Sequence, residues 1–333
     1  MTAVPGDGSV ATCDRACLNE FVDRYLDALI AHDPSRLPAT ENVRFTENGQ
    51  QLELGDGLWN TMAGKGSYRL FVTDVPAGQV AFIGTIREMG QTPDSPNPAL
   101  MALRLKVEDR RLAEIEMIVV RDAEAAKRVE NLGRPNVRFT TPVPPAQQES
   151  RQSLIRVANA YFAGMQLNDG KGDYPFTEDC NRIENGTQTT NAQVDPSPGA
   201  TRSTSYSIAW SCLEQFQSGL LHFVTRIRDR RFVAVDQDYG LVFSFVFFDH
   251  AAGQTRTFQT PSGATVTAGP TEPWTWEIAE MFKIQDGKIH QIEAVLQRVP
   301  YGMNAGWGST QQGMSTEPQD VTGVAEGPGA TVA

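Results

Sequence analysis

The chain carries one sequence pattern twice, and this repeat limits the possible folds more than any other feature. Three segments of the first half return in the second half: 25–33 as 161–169, 47–49 as 184–186, and 108–116 as 285–293. In both copies a Tyr precedes an Asp by eight positions, and Glu-Asn-Gly follows at nearly the same interval. The repeat is longer than a solenoid unit of about 20 to 50 residues, so it indicates a duplicated domain.

We predict two domains, at 13–140 and 147–300, followed by a low-complexity tail at 301–333. A chain of 333 residues is long enough for each domain to have its own core. Three prolines between Phe139 and Ala146 mark the boundary. We expect the tail to be disordered unless it packs against something.

The composition is that of a soluble globular protein, with 40% hydrophobic and 21% charged residues. The net charge of −11 disfavours nucleic acids and anionic membranes as partners, because both select for Lys and Arg surfaces. No apolar run approaches the roughly 20 residues that span a bilayer. We expect residues 1–12 to be a flexible lead, and because their sequence lacks the features of a secretory signal we expect a cytoplasmic protein.

The four cysteines do not suggest a disulfide scaffold in a chain of this size. We expect them to be reduced thiols. Cys13 and Cys17 are four positions apart at a predicted helix start, where the geometry for a bridge is poor. Cys180 and Cys212 lie in one domain, and their pairing stays open.

Each half begins with an amphipathic helix and continues mainly as strands, which predicts an α+β fold. Apolar residues recur at helical spacing over 18–31 and 150–167. Alternation and turn residues predict strands at 43–51, 68–75, 80–88, 99–108 and 112–121, then at 180–187, 222–228, 232–236, 241–250, 274–284 and 289–299. Two segments found only in the second half, 188–208 and 251–273, are rich in Gly, Thr, Ser and Pro and predict loops.

The order of helix, short helix, strand, helix and a meander of long strands resembles the nuclear transport factor 2-like (NTF2-like) fold. This class includes ketosteroid isomerase, scytalone dehydratase and the SnoaL-like polyketide cyclases. The resemblance covers nearly all of 13–300 and is clearest at Tyr25 to Asp33, at Glu47, and at the hairpin sequence Asp286 to Ile289. It implies two tandem cone-shaped α+β barrels, each a curved, mostly antiparallel sheet around helices, with an apolar pocket at the mouth.

The resemblance also implies residue roles. In ketosteroid isomerase a tyrosine on the first helix donates a hydrogen bond to the substrate oxygen, and a carboxylate on the first strand moves the proton. Tyr25 and Tyr161 match the tyrosine, and Glu47 and Glu184 lie close to the carboxylate position. The second acid of that family has no counterpart that we can identify. The alternatives are core tyrosines, and glutamates that anchor a loop or cap a helix.

Glu184 is the preferred candidate base. Arg182 lies two positions earlier, on the same face of the predicted strand, where the first copy has Phe45. A glutamate on an apolar face has a raised pKa and can serve as an acid or a base near neutral pH. Arg182 and Glu184 would form either an ion pair or a paired anchor for a polar substrate, with Tyr161 and Arg182 stabilising negative charge.

The remaining candidates are less specific. His250 and His222 are candidate proton relays, and for His250 the alternative is a strand-end turn. Glu293 repeats Glu116 at one strand position and lies either in a pocket or on a solvated or interface face. Aromatic residues are concentrated in the second copy, which predicts the larger pocket there. We expect substrate contacts from Tyr25, Glu47, Glu293, Phe243, Trp276 and Tyr301.

Several kinds of site have no sequence signal. The four histidines show no His-x-His spacing and the cysteines no Cys-x-x-Cys, so we expect no metal. A phosphate-binding Gly-rich loop and a Gly-x-Ser-x-Gly elbow are both missing from the sequence. We therefore expect no cofactor.

These observations lead to one preferred function and one alternative. The preferred function is a cofactor-independent lyase, dehydratase or isomerase that uses acid–base chemistry on a hydrophobic, hydroxylated aromatic small molecule. The alternative is a non-catalytic module that binds a small molecule or a protein. We expect the two domains to pack sheet against sheet, and the chain could also form a homo-oligomer.

Overall fold

The computed structural model describes residues 13–92, 95–193, 208–253, 255–259 and 265–324, which form two α+β domains in tandem. The helices are α1 (Arg15–Ile30), α2 (Ala123–Leu132), α3 (Val137–Thr140), α4 (Arg151–Met165), α5 (Cys212–Gln217) and α6 (Thr310–Met314). Single 3-10 turns lie at Pro34–Arg36, Gly57–Asn60, Pro145–Gln147 and Leu220–Phe223. Among the described helices, none is long and apolar enough to cross a membrane.

The strands account for most of both domains. Domain 1 contains β1 (Ala39–Glu47), β2 (Gln50–Gln51), β3 (Met62–Asp74), β4 (Gln79–Glu88), β5 (Asn97–Glu108) and β6 (Arg111–Val120). Domain 2 and the tail contain β7 (Phe176–Glu184), β8 (Thr187–Gln188), β9 (Arg226–Asp236), β10 (Leu241–His250), β11 (Arg256–Gln259), β12 (Thr265–Ala268), β13 (Trp274–Gln285), β14 (Lys288–Val299) and β15 (Pro318–Asp320).

The two large sheets have the same strand order, which confirms the duplication. The order is β2-β1-β6-β5-β4-β3 in domain 1 and β8-β7-β14-β13-β10-β9-β15 in domain 2. In each sheet the first long strand pairs in parallel with the last long strand of that domain. The register matches as well, because Glu47 lies opposite Met117 just as Glu184 lies opposite Ala294. The predicted equivalence of Glu47 and Glu184 is therefore confirmed.

Domain 2 differs from domain 1 in added segments. Strands β11 and β12 pair antiparallel in a separate two-stranded sheet, so the prediction of a loop over 251–273 is wrong for the residues of these two strands. Positions 194–207 of the other predicted loop lie outside the described residues. His222 lies in a 3-10 turn rather than in the predicted strand.

The first helix of each domain packs on one face of its sheet, which we call the inner face. Asp14 caps the N-terminus of helix α1, since its carboxylate accepts the Cys17 amide at 2.9 Å, and the predicted apolar stripe of the helix is buried. Ser150 caps the N-terminus of helix α4 in the same way. The buried residues of each helix and its inner face form one hydrophobic cluster per domain. Each domain therefore has its own core.

The outer faces of the two sheets pack against each other, as we expected. A third buried cluster joins apolar side chains of β3 to β6 with those of β9, β10, β13 and β14, and residues of α2 and α3 complete it. Phe243 belongs to this cluster and is fully buried. Its predicted contact with a substrate in the pocket is therefore wrong, because its strand face is covered by the other domain.

Buried polar contacts connect the two outer faces. Arg231 of domain 2 donates two hydrogen bonds to the Glu116 carboxylate of domain 1, at 2.9 and 2.7 Å. In the reverse direction, the Tyr68 hydroxyl donates to Glu293 at 2.8 Å. The repeated glutamates thus mark the interface, which was the alternative interpretation. The prediction that Glu293 lies in a pocket is wrong.

The repeated Asn-Gly turn has a structural reason. Beyond Glu47 and Glu184, the side chains of Asn48 and Asn185 continue the parallel pairing of β1 and β7. Asn48 accepts the Val119 amide at 2.7 Å and donates to its carbonyl at 3.3 Å, and Asn185 makes the same two bonds with Leu296 at 3.0 and 2.8 Å. In both copies the Asn-Gly turn therefore ends the strand directly after the glutamate.

Residues 301–324 of the tail are ordered against both domains, so the prediction of disorder is wrong for them. The Trp307 indole donates to Thr46 at 3.0 Å, and β15 pairs in parallel with β9. The fully buried Arg228 donates to the Met303 carbonyl at 2.8 Å. The last nine residues of the tail lie outside the described chain.

The cysteines are paired, so the prediction of four reduced thiols is wrong. One disulfide joins Cys13 to Cys17 at the start of α1, where the Cα atoms are 5.3 Å apart. The other joins Cys180 on β7 to Cys212 on α5. Structural disulfides are typical of oxidising compartments, so the cysteines do not support the expected cytoplasmic location.

We predict different stability losses for the two disulfides. The bridges close loops of 4 and 32 positions, and chain entropy predicts contributions of about 2 and about 4 kcal/mol respectively. Urea unfolding of the double variants Cys13→Ser/Cys17→Ser and Cys180→Ser/Cys212→Ser measures both. A titration that finds four free thiols in the native protein without reductant would contradict the pairing.

Candidate functional site

A cavity of about 200 Å³ opens on the inner face of domain 2. Its aromatic walls are Phe223, Phe248, Trp274 and Trp276, and the aliphatic part comes from α4, the 3-10 turn, β13 and β14. Two polar side chains, Glu184 and His250, complete the lining. The cavity thus brings together three predicted site residues: Glu184, His250 and Trp276.

The row of residues directly below the cavity differs between the domains. In domain 2 cross-strand pairing places Glu184, Ala294, Glu280 and Ser244 side by side. The same pairing in domain 1 gives Glu47, Met117, Leu103 and Phe82. At three positions where domain 1 has large apolar side chains, domain 2 therefore has small or polar ones. The row lies two residues, or about 7 Å, deeper than the cavity-lining pair Leu296 and Ile278.

Arg182 is the centre of a buried polar cluster next to this row. It is 1% exposed and ion-paired with Glu184, whose Oε1 lies 3.3 Å from Nε. Its guanidinium also donates to Gln215 at 2.6 Å and to the Tyr161 hydroxyl at 3.4 Å. Arg182 and Tyr161 therefore lie beneath the cavity, and Glu184 connects the cluster to it. The side chain of Glu184 is 28% exposed.

Glu280 is a buried acid that the sequence analysis missed. Burial and, to a smaller extent, the negative charge of Glu184 raise its pKa to about 8, against the opposing effects of Arg182 and the Tyr161 hydroxyl. At neutral pH Glu280 is thus mostly protonated. Its Oε2 has no hydrogen-bond partner among the described residues. The sequence signal was present, since Glu280 interrupts an alternating apolar row on β13 that includes Ile278 and Phe282.

His250 lies at the outer end of the cavity and stacks on Trp274, with ring centroids 3.8 Å apart. Burial lowers the pKa of His250 to about 4, so the imidazole is neutral at pH 7. Its neighbour Asp249 lies on the other face, where it accepts hydrogen bonds from Arg228 and Thr275 at 2.8 and 2.7 Å. His250 and Asp249 therefore do not form an acid–base pair.

Two predicted site residues lie outside this cavity. His222 is buried in the 3-10 turn, with Nδ1 3.2 Å from the Gly219 carbonyl oxygen. Tyr301 is 44% exposed and follows the end of β14. The location of Tyr301 does not match the predicted contact with a substrate, because its side chain faces solvent beyond the sheet.

The equivalent residues of domain 1 have structural partners. Glu47 accepts the Leu58 amide at 2.7 Å and a hydrogen bond from Arg121 at 2.8 Å, which anchors the 3-10 turn Gly57–Asn60. Tyr25 is fully buried, and its hydroxyl lies 3.8 Å from the Met117 sulfur. The alternative interpretation, a loop-anchoring glutamate and a core tyrosine, therefore describes domain 1.

A second cavity of about 190 Å³ lies between the domains, near α1 and β9. Its charged side chains are already paired with each other or with neighbours. Arg15 binds Asp236 and Asp238, and Arg69 donates to Asp23 at 2.7 Å. Within the described part of the chain, no group of three His, Cys, Asp or Glu side chains could hold a metal ion. The cavity of domain 2 is the stronger candidate site.

Glu280 should make stability depend on pH. Its pKa is 4.5 ordinarily and about 8 in the folded protein, so between these values the folded state keeps a proton that the unfolded state releases. Its contribution to the free energy of unfolding is fully present below pH 4.5 and is lost as the pH rises through 8. Glu280→Gln, which mimics the protonated acid, should therefore lose less stability than the wild type between pH 5 and pH 8.5.

Urea unfolding at several pH values measures this difference. Glu277 and Glu293, whose pKa values burial raises to about 7, are kept in both proteins and contribute equally to the remaining slope. Identical slopes for wild type and Glu280→Gln would show that Glu280 ionises normally in the folded protein.

Comparisons with known proteins give a family and no activity. No curated protein matches the chain. AclR from Streptomyces galilaeus, described as a candidate hydroxylase, matches with a TM-score of 0.27 and 13% identity, over 40% of this chain and 92% of its own. A de novo designed protein with a curved β-sheet matches with a TM-score of 0.24 and 15% identity, over 45% and 88%. At these TM-scores neither similarity identifies a fold or a function.

The family assignment follows from the sequence match. The model of a domain of unknown function, DUF8021, matches residues 11–119 and again 147–296, so the two matches repeat the duplication seen in the strand order. Together they cover more than half of the chain. The chain belongs to the DUF8021 family.

Proposed function

We propose that both domains are NTF2-like cones and that domain 2 is a cofactor-independent lyase, dehydratase or isomerase for a hydroxylated aromatic small molecule. One observation carries this proposal. The row Glu184, Ala294, Glu280 and Ser244 lies directly below an aromatic-walled cavity, and its last three positions are occupied by large apolar side chains in domain 1.

The two carboxyl groups of the row have different environments. Glu184 is ion-paired with Arg182 and reaches the cavity, whereas Glu280 is buried and mostly protonated at pH 7. A pair of acids with separated protonation states can supply a base and a proton donor at the same pH. Ala294 between them leaves the space that Met117 fills in domain 1. We assign Glu184 as the base and Glu280 as the donor.

The proposed reaction moves one proton and stabilises one negative charge. Glu184 removes a proton from the substrate, and negative charge develops on a substrate oxygen. Neutral Glu280 and the Tyr161 hydroxyl would donate hydrogen bonds to this oxygen, and Arg182 would offset its charge. Glu280 thus supplies the second acid for which the sequence analysis found no counterpart. The proton returns to another substrate atom in an isomerisation, or leaves with a hydroxyl group as water in a dehydration.

The histidines have smaller roles in this proposal. His250 is neutral at pH 7 because burial holds its pKa near 4, so it accepts a hydrogen bond from the substrate rather than relaying a proton. His222 does not line the cavity and has no assigned role. Domain 1, whose equivalent carboxylate anchors a turn, acts as a scaffold for domain 2.

A non-catalytic binding function is the second candidate, and the packing around Tyr161 favours it. The ring of Tyr161 contacts those of Phe216 and Phe282, with centroids 5.4 and 5.3 Å apart, and the residue is 1% exposed. A ligand confined to the cavity would contact Glu184 but not the tyrosine. In that case the protein would bind the ligand without converting it.

We predict that Glu184→Gln lowers turnover by about 100- to 10,000-fold while the protein stays folded, because general acid–base catalysis contributes that much. The matched control is Glu47→Gln at the equivalent position of domain 1, which should keep turnover and lose stability through its weakened contact with Arg121. The assay follows loss of water or isomerisation of hydroxylated aromatics by absorbance.

The two variants separate the possible results. Equal losses of turnover would mean that both domains are active, and a larger loss for Glu47→Gln would move the chemistry to domain 1. If the wild type binds a ligand but does not convert it, the second candidate, a non-catalytic binding function, is supported.

A further inference from the structure

The polar groups of the domain 2 cavity lie at its two ends. Glu184 and Glu280 both pair with Ala294 across the sheet, and His250 pairs with Trp274. Six positions of β13 separate Glu280 from Trp274, so the two polar groups lie at different levels of the sheet. The side chains that line the cavity between these ends are apolar. A ligand that satisfies both polar groups must therefore be elongated.

Both polar groups accept hydrogen bonds. The Glu184 carboxylate, ion-paired with Arg182, has only acceptor atoms. The His250 Nδ1 lies 3.0 Å from the Phe248 carbonyl oxygen, which can only accept, so the proton of the neutral ring is on Nδ1. Nε2 then carries the lone pair, and no described residue donates to it. A ligand must bring the hydrogen-bond donors itself.

The cavity also discriminates against negative charge. A carboxylate or phosphate on the ligand would approach Glu184, and no cation belongs to the lining. At the outer end, the guanidinium of Arg298 lies over the Trp274 ring and is ion-paired with Glu272. The protein as a whole carries a net charge of −11, which repels anions further.

We infer that this cavity binds an uncharged, elongated aromatic molecule. The molecule has one ring or two fused rings and carries a hydroxyl or N–H donor at each end. The volume of about 200 Å³ sets the size, since a cavity of about 150 Å³ already holds benzene. Trp274, Trp276 and Phe223 provide the ring contacts. The inference takes the location of the site from the proposed function but requires no catalysis.

The test measures binding of four matched naphthalenes by calorimetry. 2,6-Dihydroxynaphthalene has two donors, 6-methoxy-2-naphthol has one, 2,6-dimethoxynaphthalene has none, and 6-hydroxy-2-naphthoate exchanges one donor for a carboxylate. We expect the diol to bind best and the dimethoxy compound about 10- to 100-fold more weakly, because each hydrogen bond has a modest net value. The naphthoate should bind more weakly than 6-methoxy-2-naphthol, because it adds a charge that the site repels.

A variant at His250 tests whether one hydroxyl group of the diol donates a hydrogen bond to this histidine. His250→Phe keeps an aromatic ring against Trp274 and removes the acceptor. In this variant the diol and 6-methoxy-2-naphthol should bind equally, although the wild type separates them about tenfold. His290→Phe, a histidine outside the cavity lining, is the control and should keep the wild-type ratio.

Each outcome decides the inference. Equal binding of the diol and the dimethoxy compound, tightest binding of the naphthoate, or no binding by any of the four would overturn it. Turnover is measured separately on the same compounds. If the diol binds best but is not converted, the inference stands and the proposed enzyme activity is contradicted. If an anionic aromatic is converted, the proposed enzyme activity stands and the inference is contradicted.

Discussion

The packing of the two sheets against each other determines which side of each strand can form a pocket. The outer faces bury one continuous apolar cluster between the domains, and the hydrophobic effect on this area holds the tandem together. Because strand side chains alternate, burial of the outer face leaves only the inner face to surround helices and a ligand. The same alternation separates Glu293, which is covered by the other domain, from Ala294 beside it, which faces the candidate site.

Charged residues within this interface are matched across the pseudo-symmetric contact. Glu116 and Glu293 occupy equivalent positions, and each accepts hydrogen bonds from the opposite domain. An unpaired charge at such a depth would be strongly unfavourable, since breaking a buried ion pair costs about 3 to 5 kcal/mol. Glu116 and Arg231 therefore favour one alignment of the two sheets over others. The ordered tail adds to this alignment through Trp307, which contacts domain 1.

The inner faces of the two copies have diverged in a coupled way. Phe45 and Leu103 of domain 1 correspond to Arg182 and Glu280 of domain 2, so an apolar pair has become a guanidinium and a carboxyl. Arg182 is balanced by Glu184, and Glu280 avoids a second buried negative charge by keeping its proton. A polar cluster of this kind contributes little to stability compared with the apolar pair. Among the described residues this cluster occurs in domain 2, which supports the proposal that the two copies have different roles.

The repeat, its helical and strand periodicities and the equivalence of Glu47 with Glu184 could be read from the sequence, because local patterns and chain order specify them. The α+β class followed from the same patterns. The partners of these residues could not be read in this way. The sequence does not say that Glu47 holds a turn while Glu184 reaches a cavity, since that depends on Leu58 and Arg121 approaching one and Arg182 the other. The two disulfides, the ordered tail and the raised pKa of Glu280 likewise depend on distant segments that meet only after folding. Periodicity determines which face a side chain is on, but only the tertiary structure decides what lies opposite that face.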